Sequence, residues 1–295
     1  MADPDTGKKY PVRMILRVTG LSSAAYYSKP MGQEPKKRGP VSVMSDEALL
    51  ALIKETMNKI PFHGTGYKKI HARVQKELVI MELSVSKNRV FRLMKENNLL
   101  NAAPGGSGTS RIHDGKIVTD APNVMWGTDG KKFFTRRDGW CWLFDVVDHF
   151  NSEIIGYNVV KGGDRFEATR AIQSAIIFRY GALTKSIADG VTVRCDLGSQ
   201  YTSKYFVDTM KYCGIEVSHS WARSPECNGI IERFHRTIDE QVFKMNDFEN
   251  IDEAENSIRD FIALYNREWQ LERLNYKSPN EALDCFKKSI LKNAC

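Results

Sequence analysis

Long apolar segments and paired cysteines are both missing from this chain of 295 residues. No apolar run approaches the roughly 18 residues that span a bilayer, and the N-terminus lacks the pattern of a signal peptide. The six cysteines are scattered, without Cys-x-x-Cys spacing or an accompanying histidine pair, which argues against a zinc module. Scattered cysteines in such a chain are typical of reduced thiols, so we expect a cytoplasmic protein.

The net charge of +7 is distributed unevenly along the chain. Residues 1–120 carry 20 Lys and Arg against 11 Asp and Glu, whereas the remaining residues carry 23 against 25. A basic excess concentrated in one region is expected for phosphate binding, so the first third of the chain is predicted to contact nucleic acid. A soluble basic surface without such a partner is the alternative.

Composition and hydrophobic spacing divide the chain into four predicted segments. They are a helix-turn-helix with a basic linker (1–44), a three-helix unit (45–101), a Gly- and Ser-rich linker (102–118) and a domain of strands and helices with C-terminal helices (119–295). Pro11 and Ser22 are suited to begin the first two helices, and Ser86 is suited to cap the last helix of the second segment.

Two clusters of basic residues in these segments are candidates for DNA contact. They are Lys36, Lys37 and Arg38 in the basic linker, and Lys87, Arg89 and Arg92 on the helix capped by Ser86. On physical grounds alone, a charged helix face is more often explained by solvation.

The last segment begins with three strand-like runs, at residues 124–134, 140–149 and 152–160. The first two are joined by a turn containing Asp138-Gly139, which is a strong hairpin signal. Patterns typical of alternating helices and strands follow, at 166–180 (helix), 191–196 (strand), 201–213 (helix), 215–218 (strand), about 226–245 (helix) and 252–268 (helix). Hairpin-linked strands followed by such alternation predict an α/β fold with a mixed five-stranded sheet and helices packed on it.

Three carboxylates stand at informative places in this pattern. Asp196 closes a short β-branched run and precedes a Gly-Ser turn, and open α/β sheets place ligands at such strand ends. Glu232 lies early in a helix that Ser224 and Pro225 can begin, and Asp129 lies in a strand-like run upstream. Carboxylates are ligands that Mg²⁺ prefers, and two such ions roughly 3.5–4 Å apart can activate an attacking oxygen and stabilise a leaving one.

Other interpretations of these acids remain open. Asp145 and Asp148 compete with Asp129 for the first carboxylate role, although either is explained as an ordinary strand-edge or turn acid. A surface acid or a helix-start charge would explain Asp196 and Glu232.

Neighbouring polar and aromatic residues have equally ordinary explanations. Gln200 and Asn228 lie beside the carboxylates in sequence and are candidates to bind ligands or DNA, but turn and capping roles explain them almost as well. Tyr201 and Trp221 have the ring systems that stack on bases, yet burial explains either one better.

An ordered set of short motifs carries a family resemblance. The motifs are Trp126-Gly-Thr-Asp129, Asp196-Leu-Gly-Ser-Gln-Tyr-Thr-Ser203, Gly214-Ile-Glu-Val-Ser218, Asn228-Gly-Ile-Ile-Glu232, and Tyr265-Asn266 followed by Ser278-Pro-Asn-Glu-Ala282. With them the chain resembles the OrfB transposases of the IS-three group of bacterial insertion sequences. Asp129, Asp196 and Glu232 resemble the DDE triad of the retroviral-integrase-like catalytic core. The resemblance covers most of the chain and extends to the three-helix segment, where it favours DNA contact.

The resemblance implies a fold and a chemistry. The fold would be an RNase H-like integrase core preceded by small all-α helix-turn-helix units. The first aspartate would lie on the first strand, the second just past the fourth strand, and the glutamate on the helix after the fifth. The three carboxylates would hold two Mg²⁺ ions, with Mn²⁺ as a substitute, for strand cleavage at insertion-sequence ends and transfer of the freed 3′-hydroxyl.

The resemblance also implies partners. Double-stranded DNA, as element ends and target, would be the substrate. Because two ends must be paired, we expect a homo-oligomer on DNA, and an OrfA-type partner or fusion is a further expectation. The protein would lie in a bacterial cytoplasm and associate with the nucleoid when bound to DNA. The alternatives are a non-catalytic DNA-binding regulator or partner of the full-length transposase, and a plain metal-dependent nuclease.

One position departs from the family pattern. The family usually has Lys or Arg seven residues after the glutamate, where it contacts DNA near the scissile phosphate, and here that residue is Asp239. Arg236, one helical turn after Glu232, is the candidate to supply the cation instead. The departure concerns DNA contacts and leaves the three predicted metal ligands untouched.

Overall fold

A computed structural model describes most of the chain. The described residues are 7, 9–28, 44–101, 119–219 and 229–293. The predicted basic linker with Lys36, Lys37 and Arg38 lies outside them, as do the Gly- and Ser-rich linker and Asn228. Contacts divide the chain into two compact units, Met1–Ser45 and Asp46–Cys295. Among the described helices, none combines the length and the apolar character needed to cross a membrane.

The first unit contains two short helices, α1 (Val12–Thr19) and α2 (Ser23–Tyr27). Gly20 adopts a φ of +68°, in the left-handed region that glycine tolerates, and this ends α1. The Ser22 hydroxyl accepts a hydrogen bond from the Ala25 N–H and caps α2, as predicted. No residue of either helix is buried within the described part of the unit, so the predicted helix pair is present without a core of its own.

The second unit begins with three helices, α3 (Asp46–Lys59), α4 (Tyr67–Ile80) and α5 (Lys87–Glu96). Ser86 caps α5 by accepting from the Arg89 N–H, as its position predicts. Apolar residues at helical spacing meet in a small core, formed by Leu49, Ile53, Ile70, Val74, Leu78, Val90, Leu93 and Met94.

The three helices are held against the C-terminal part of the same unit. The Lys69 ammonium lies 3.3 Å from the centre of the Trp269 ring, and burial lowers the pKa of Lys69 to about 8. Phe62 packs edge-on against the same ring, at 4.8 Å between centroids. Lys76 pairs with Glu281 at 2.7 Å. A cation–π contact, an aromatic pair and an ion pair therefore hold the three helices against the C-terminal part of the unit.

Five strands form one mixed sheet in the order β3-β2-β1-β4-β5. Their bounds are β1 Met125–Thr135, β2 Gly139–Asp148, β3 Ile154–Val160, β4 Thr192–Cys195 and β5 Glu216–His219. The first three strands pair antiparallel because hairpin turns join them, whereas β4 pairs parallel with both β1 and β5 after helical crossovers. The predicted mixed sheet is confirmed.

Helices cover both faces of the sheet. One face carries α6 (Arg165–Tyr180), α7 (Ser199–Thr202) and α8 (Lys204–Cys213), and the other carries α9 (Gly229–Ile238) and α10 (Ile251–Glu268), against which α11 (Pro279–Asn293) packs. Since side chains alternate along a strand, each strand contributes to both cores. The predicted RNase H-like arrangement, with small helical units before it, is therefore the observed one.

Two predicted helices are interrupted. The pattern over 201–213 is split at Ser203, whose extended backbone ends α7 and whose hydroxyl caps α8 by accepting from the Phe206 N–H. The pattern over 226–245 is α-helical only to Ile238 among the described residues, and a π-helical turn, Asp239–Phe243, follows. Hydrophobic periodicity does not register such local changes, because the apolar residues still face the sheet.

Candidate active site

Two of the predicted carboxylates lie at neighbouring positions of the sheet, Asp129 on β1 and Asp196 directly after the end of β4. The last parallel pair between β1 and β4 joins Gly127 to Arg194. Two residues further along each chain lie Asp129 and Asp196, and neighbouring strands are about 4.8 Å apart. Besides burial, the negative charge of Asp196 contributes to the raised pKa of Asp129. The sheet therefore brings these two acids together, as the sequence predicts.

A tight turn orients Asp196. The Gly198 N–H donates to Asp196 Oδ1 at 2.8 Å, and the side chain is exposed. A Cβ at position 198 would lie 2.8 Å from that oxygen and 2.6 Å from Gln200 Nε2, so only glycine leaves both side chains in place. Both side chains therefore lie close to Gly198, which puts Gln200 near Asp196.

Asp129 lies in a more enclosed setting. Its side chain is 28% exposed, and its Oδ1 accepts from the Gly130 N–H at 2.8 Å. The pKa of Asp129 is raised to about 6: burial is the main cause, the charges of Asp145 and Asp196 add to it, and His235 and the Gly130 N–H oppose it. A carboxyl group perturbed in this way by burial and by other acids is typical of a functional site.

A buried acid and a histidine lie directly behind Asp129. The β1–β2 register places Asp145 opposite Asp129, and Asp145 is fully buried. His235 Nε2 lies 2.6 Å from Asp145 Oδ1, and His235 Nδ1 lies 3.7 Å from Asp129 Oδ2. Burial opposes the charged imidazole, but the two carboxylates outweigh burial and raise the pKa of His235.

Sequence reasoning missed this Asp145–His235 pair. Two signals were available to find it. The Asp138-Gly139 turn sets the hairpin register that places Asp145 opposite Asp129, and His235 follows Glu232 by three residues, within one helical turn.

The rival first carboxylates have structural roles. Asp148 is fully buried and accepts from the Asn123 N–H at 2.9 Å and the Phe150 N–H at 3.0 Å. Asp145 is equally buried against His235. Of the three acids, Asp129 is the one whose carboxylate reaches the surface, so the geometry favours it for contact with a ligand.

Glu232 lies on α9 with an exposed side chain. No group of three or more His, Cys, Asp and Glu side chains lies in a metal-binding arrangement in the described part of the chain. The structure therefore places Asp129 and Asp196 close together, but it does not place Glu232 with them in a metal-binding arrangement. Residues 220–228, which lead into α9 and include Asn228, are outside the described residues.

The other predicted DNA contacts lie on two helices. On α9, Arg236 is exposed one turn after Glu232. On α5, Lys87 is exposed, but Arg89 and Arg92 each lie 2.6 Å from an oxygen of Asp46, and Arg92 also pairs with Glu96 within the helix. The two arginines are therefore ordered by ion pairs on the helical surface.

Comparisons with known proteins find related sequences. Residues 119–225 match a family described as an integrase core domain, and residues 213–279 match a second family of the same description. Transposase InsD for insertion element IS2A/D/F/H/I/K of Escherichia coli is 25% identical over 242 residues, which are 81% of this chain and 79% of that protein.

Solved structures of retroviral integrases are also similar. The intasome of simian T-cell lymphotropic virus with PP2A regulatory subunit B56 gamma shares 16% identity at a TM-score of 0.48, with 74% of each chain covered. The HTLV-2 integrase catalytic core domain in complex with magnesium, in its dimeric form, shares 18% identity at a TM-score of 0.41, covering 55% of this chain and 97% of that one.

The strands and helices from β1 to α10 form an integrase core domain, and the protein is a DNA transposase/integrase of the DDE-type polynucleotidyl transferases. It acts on DNA. Its relatedness to InsD makes it, more narrowly, an insertion-sequence transposase with an integrase-like core.

The two acids that the sheet brings together suit a divalent metal. Asp129 and Asp196 present hard oxygen donors at neighbouring positions, and burial, with a smaller contribution from the charges of Asp145 and Asp196, raises the pKa of Asp129. A divalent cation between them would relieve the repulsion between the two carboxylates. The donor chemistry of these two residues therefore fits such an ion.

Proposed function

We propose that this protein is an OrfB-type transposase of the IS-three group. It would catalyse strand cleavage and 3′-hydroxyl transfer at the ends of its insertion sequence. The observation that carries the proposal is the placement of Asp129 and Asp196 at neighbouring positions of the sheet, with a raised pKa at Asp129.

Asp129, Asp196 and Glu232 are the proposed ligands of two Mg²⁺ ions, for which Mn²⁺ would substitute. Such ions supply Lewis acidity to the attacking and leaving oxygens of the phosphodiester. The chain's own contribution is orientation. The Gly130 and Gly198 N–H groups each bind one oxygen of an aspartate, and His235 Nδ1 lies 3.7 Å from the second oxygen of Asp129.

DNA would contact both the core and the helical units. Near the acids the proposed contacts are Arg236, Gln200 and Asn228, and further away they are Lys87, Arg89, Arg92, Lys36, Lys37 and Arg38. We further propose that the enzyme acts as a homo-oligomer, because two element ends must be brought together, and that an OrfA-type partner or fusion completes it.

The test is strand cleavage and joining on a labelled duplex from the terminal sequence that flanks this reading frame, with Mg²⁺ or Mn²⁺. We expect joined products from the wild type and none from Asp196→Asn or Glu232→Gln. Asp208→Asn is a matched control, because Asp208 is an exposed acid on α8, and it should retain activity.

Other results would select the alternatives. Cleavage without joining would indicate a plain metal-dependent nuclease. Binding without cleavage, with or without an added OrfA part, would indicate a regulator. Full activity of Glu232→Gln would remove that residue from the proposed triad.

A further inference from the structure

Lys131 lies on the strand that carries Asp129. Residues two apart on a strand share a face, so both side chains point towards the face covered by α9. The Lys131 side chain is only 17% exposed. Its neighbour Lys132 points to the opposite face, where its ammonium lies 4.8 Å from the centre of the Trp142 ring.

The partner of Lys131 is Asp239. Lys131 Nζ donates to Asp239 Oδ2 at 2.9 Å, and the Asp239 side chain is 35% exposed. Asp239 directly follows α9 and opens the π-helical turn, seven residues after Glu232. A carboxylate towards the C-terminal end of a helix is disfavoured by the helix dipole. The Lys131 ammonium compensates for this cost.

The ammonium stands at the border of the acidic cluster. Its charge acts on His235, where it partly offsets the rise in pKa that Asp145 and Asp129 cause, and His235 Nδ1 lies 3.7 Å from Asp129 Oδ2. An ammonium group has three N–H donors. The described residues provide one hydrogen-bond acceptor for it, the Asp239 carboxylate, so donors remain for a ligand that approaches Asp129.

A nucleic-acid strand that reaches Asp129 brings phosphates into a site rich in carboxylates. Asp129, Asp145 and Asp196 all contribute negative charge there. Phosphate binding needs cations close to the strand, and a partly buried, ordered ammonium offers one with little loss of side-chain freedom on binding.

We propose that Lys131 binds a DNA phosphate next to the scissile bond and that Asp239 is a positioning residue that holds its ammonium there. The cation of this site thus comes from strand β1 and is oriented from the end of α9. The inference deepens the proposed function, because it names a DNA contact of the same site.

The first test compares two adjacent lysines on opposite faces of β1. Full-length Lys131→Met and Lys132→Met would be titrated with the terminal duplex at several salt concentrations, with Ca²⁺ as the cation to avoid strand cleavage. For Lys131→Met, we expect weaker binding and a log–log salt slope reduced by about 0.9, the value for one lost phosphate contact. For Lys132→Met and Lys131→Arg, the slope should stay near that of the wild type.

The second test exchanges the charges. Lys131→Asp should bind the duplex at least several-fold more weakly than Lys131→Met, because it adds a negative charge. Combining Lys131→Asp with Asp239→Lys returns a cation to the same place, so affinity and salt slope should recover. Thermal unfolding of each variant separates loss of folding from loss of contact.

An unchanged salt slope in Lys131→Met, together with a lowered melting temperature, would mean that the ion pair is only structural and would overturn the proposal. Failure of the charge exchange to restore binding, in a protein that folds, would also overturn it. Because the slope is measured without cleavage, these results are independent of whether the wild type joins strands.

Discussion

The two faces of the central sheet differ in what they bury. The face under α6 and α8 is mainly apolar, with Trp126, Phe144 and Val193 at its centre, and Arg179 of α6 pairs with buried Asp148 and Glu153 at its edge. The face under α9 and α10 is also packed with apolar residues, but it encloses the Asp145–His235 pair and borders Asp129. Both faces hold buried ionisable groups, but those of the α6 face are paired with an arginine, whereas those of the α9 face border Asp129, an acid that reaches the surface.

Removing apolar volume from the α6 face should have the largest effect on stability. Phe144 is fully buried and stacks on Trp142. Phe144→Ala is expected to lower the free energy of unfolding by about 4 kcal/mol, because it leaves a cavity. Urea denaturation measures this. Phe134→Ala is the control: Phe134 is 53% exposed at the end of the same hairpin, and its loss should cost less than about 1 kcal/mol.

On the other face, the Asp145–His235 pair should be sensitive to substitution because it includes a buried charge. His235→Leu leaves the fully buried Asp145 without its imidazole partner and should cost about 3 kcal/mol. Replacing both residues with leucine should restore much of the loss, because no unpaired carboxylate remains buried. Denaturation of the two single variants and the double variant measures their coupling. Strictly additive costs would contradict the pairing.

Acidification should also act on this second face. His149 is buried with neither ring nitrogen hydrogen-bonded among the described residues, and burial lowers its pKa to about 4, aided by the charges of Arg273 and Arg194. The folded state therefore favours the neutral ring of His149. The contribution of this preference to the free energy of unfolding is fully present above pH 6.5 and is lost as the pH drops towards 4. The loss should reach about 2 kcal/mol at pH 5.

The measurement is urea denaturation at pH 7 and pH 5. His149→Leu should remove this part of the pH dependence. His63→Asn, at an exposed histidine, is the control and should behave like the wild type. Parallel losses in wild type and His149→Leu would show that other groups cause the acid sensitivity.

The smallest predicted effect is an increase in stability. The raised pKa of Asp129 means that its carboxylate destabilises the metal-free fold at neutral pH. Asp129→Asn should therefore stabilise the protein in EDTA by on the order of 1–2 kcal/mol, after allowance for its partial exposure. Mg²⁺ should raise the melting temperature of the wild type and leave that of Asp129→Asn nearly unchanged. An equal response to Mg²⁺ would place the metal elsewhere.

Elements with local signals were predictable from the sequence. Ser22 and Ser86 cap their helices, and the Asp138-Gly139 turn joins β1 to β2 where the pattern indicated. These features depend on a few neighbouring residues, so they can be predicted directly from the sequence. The interruption at Ser203 was missed although its signal is also local, because the apolar spacing on either side continues as in one helix.

Pairs between distant elements were not predictable in the same way. Sequence reasoning treated Asp145 as a competitor of Asp129, whereas the hairpin register makes it the buried partner of His235. It treated Asp239 only as a lost cation. The position of α9 over β1 makes it the partner of Lys131. Both partners were missed for one reason: the role of a charged residue depends on which charged residue faces it.

The sequence by itself determined the alternation of strands and helices and the placement of Asp129 and Asp196 within or directly after strands. Those properties follow from hydrophobic period and turn chemistry, which act over a few residues. Only the tertiary structure decided which acids reach the surface, which are buried against His235, and which cation stands beside them. Burial and Coulomb interactions are set by distances between segments that the chain order does not contain.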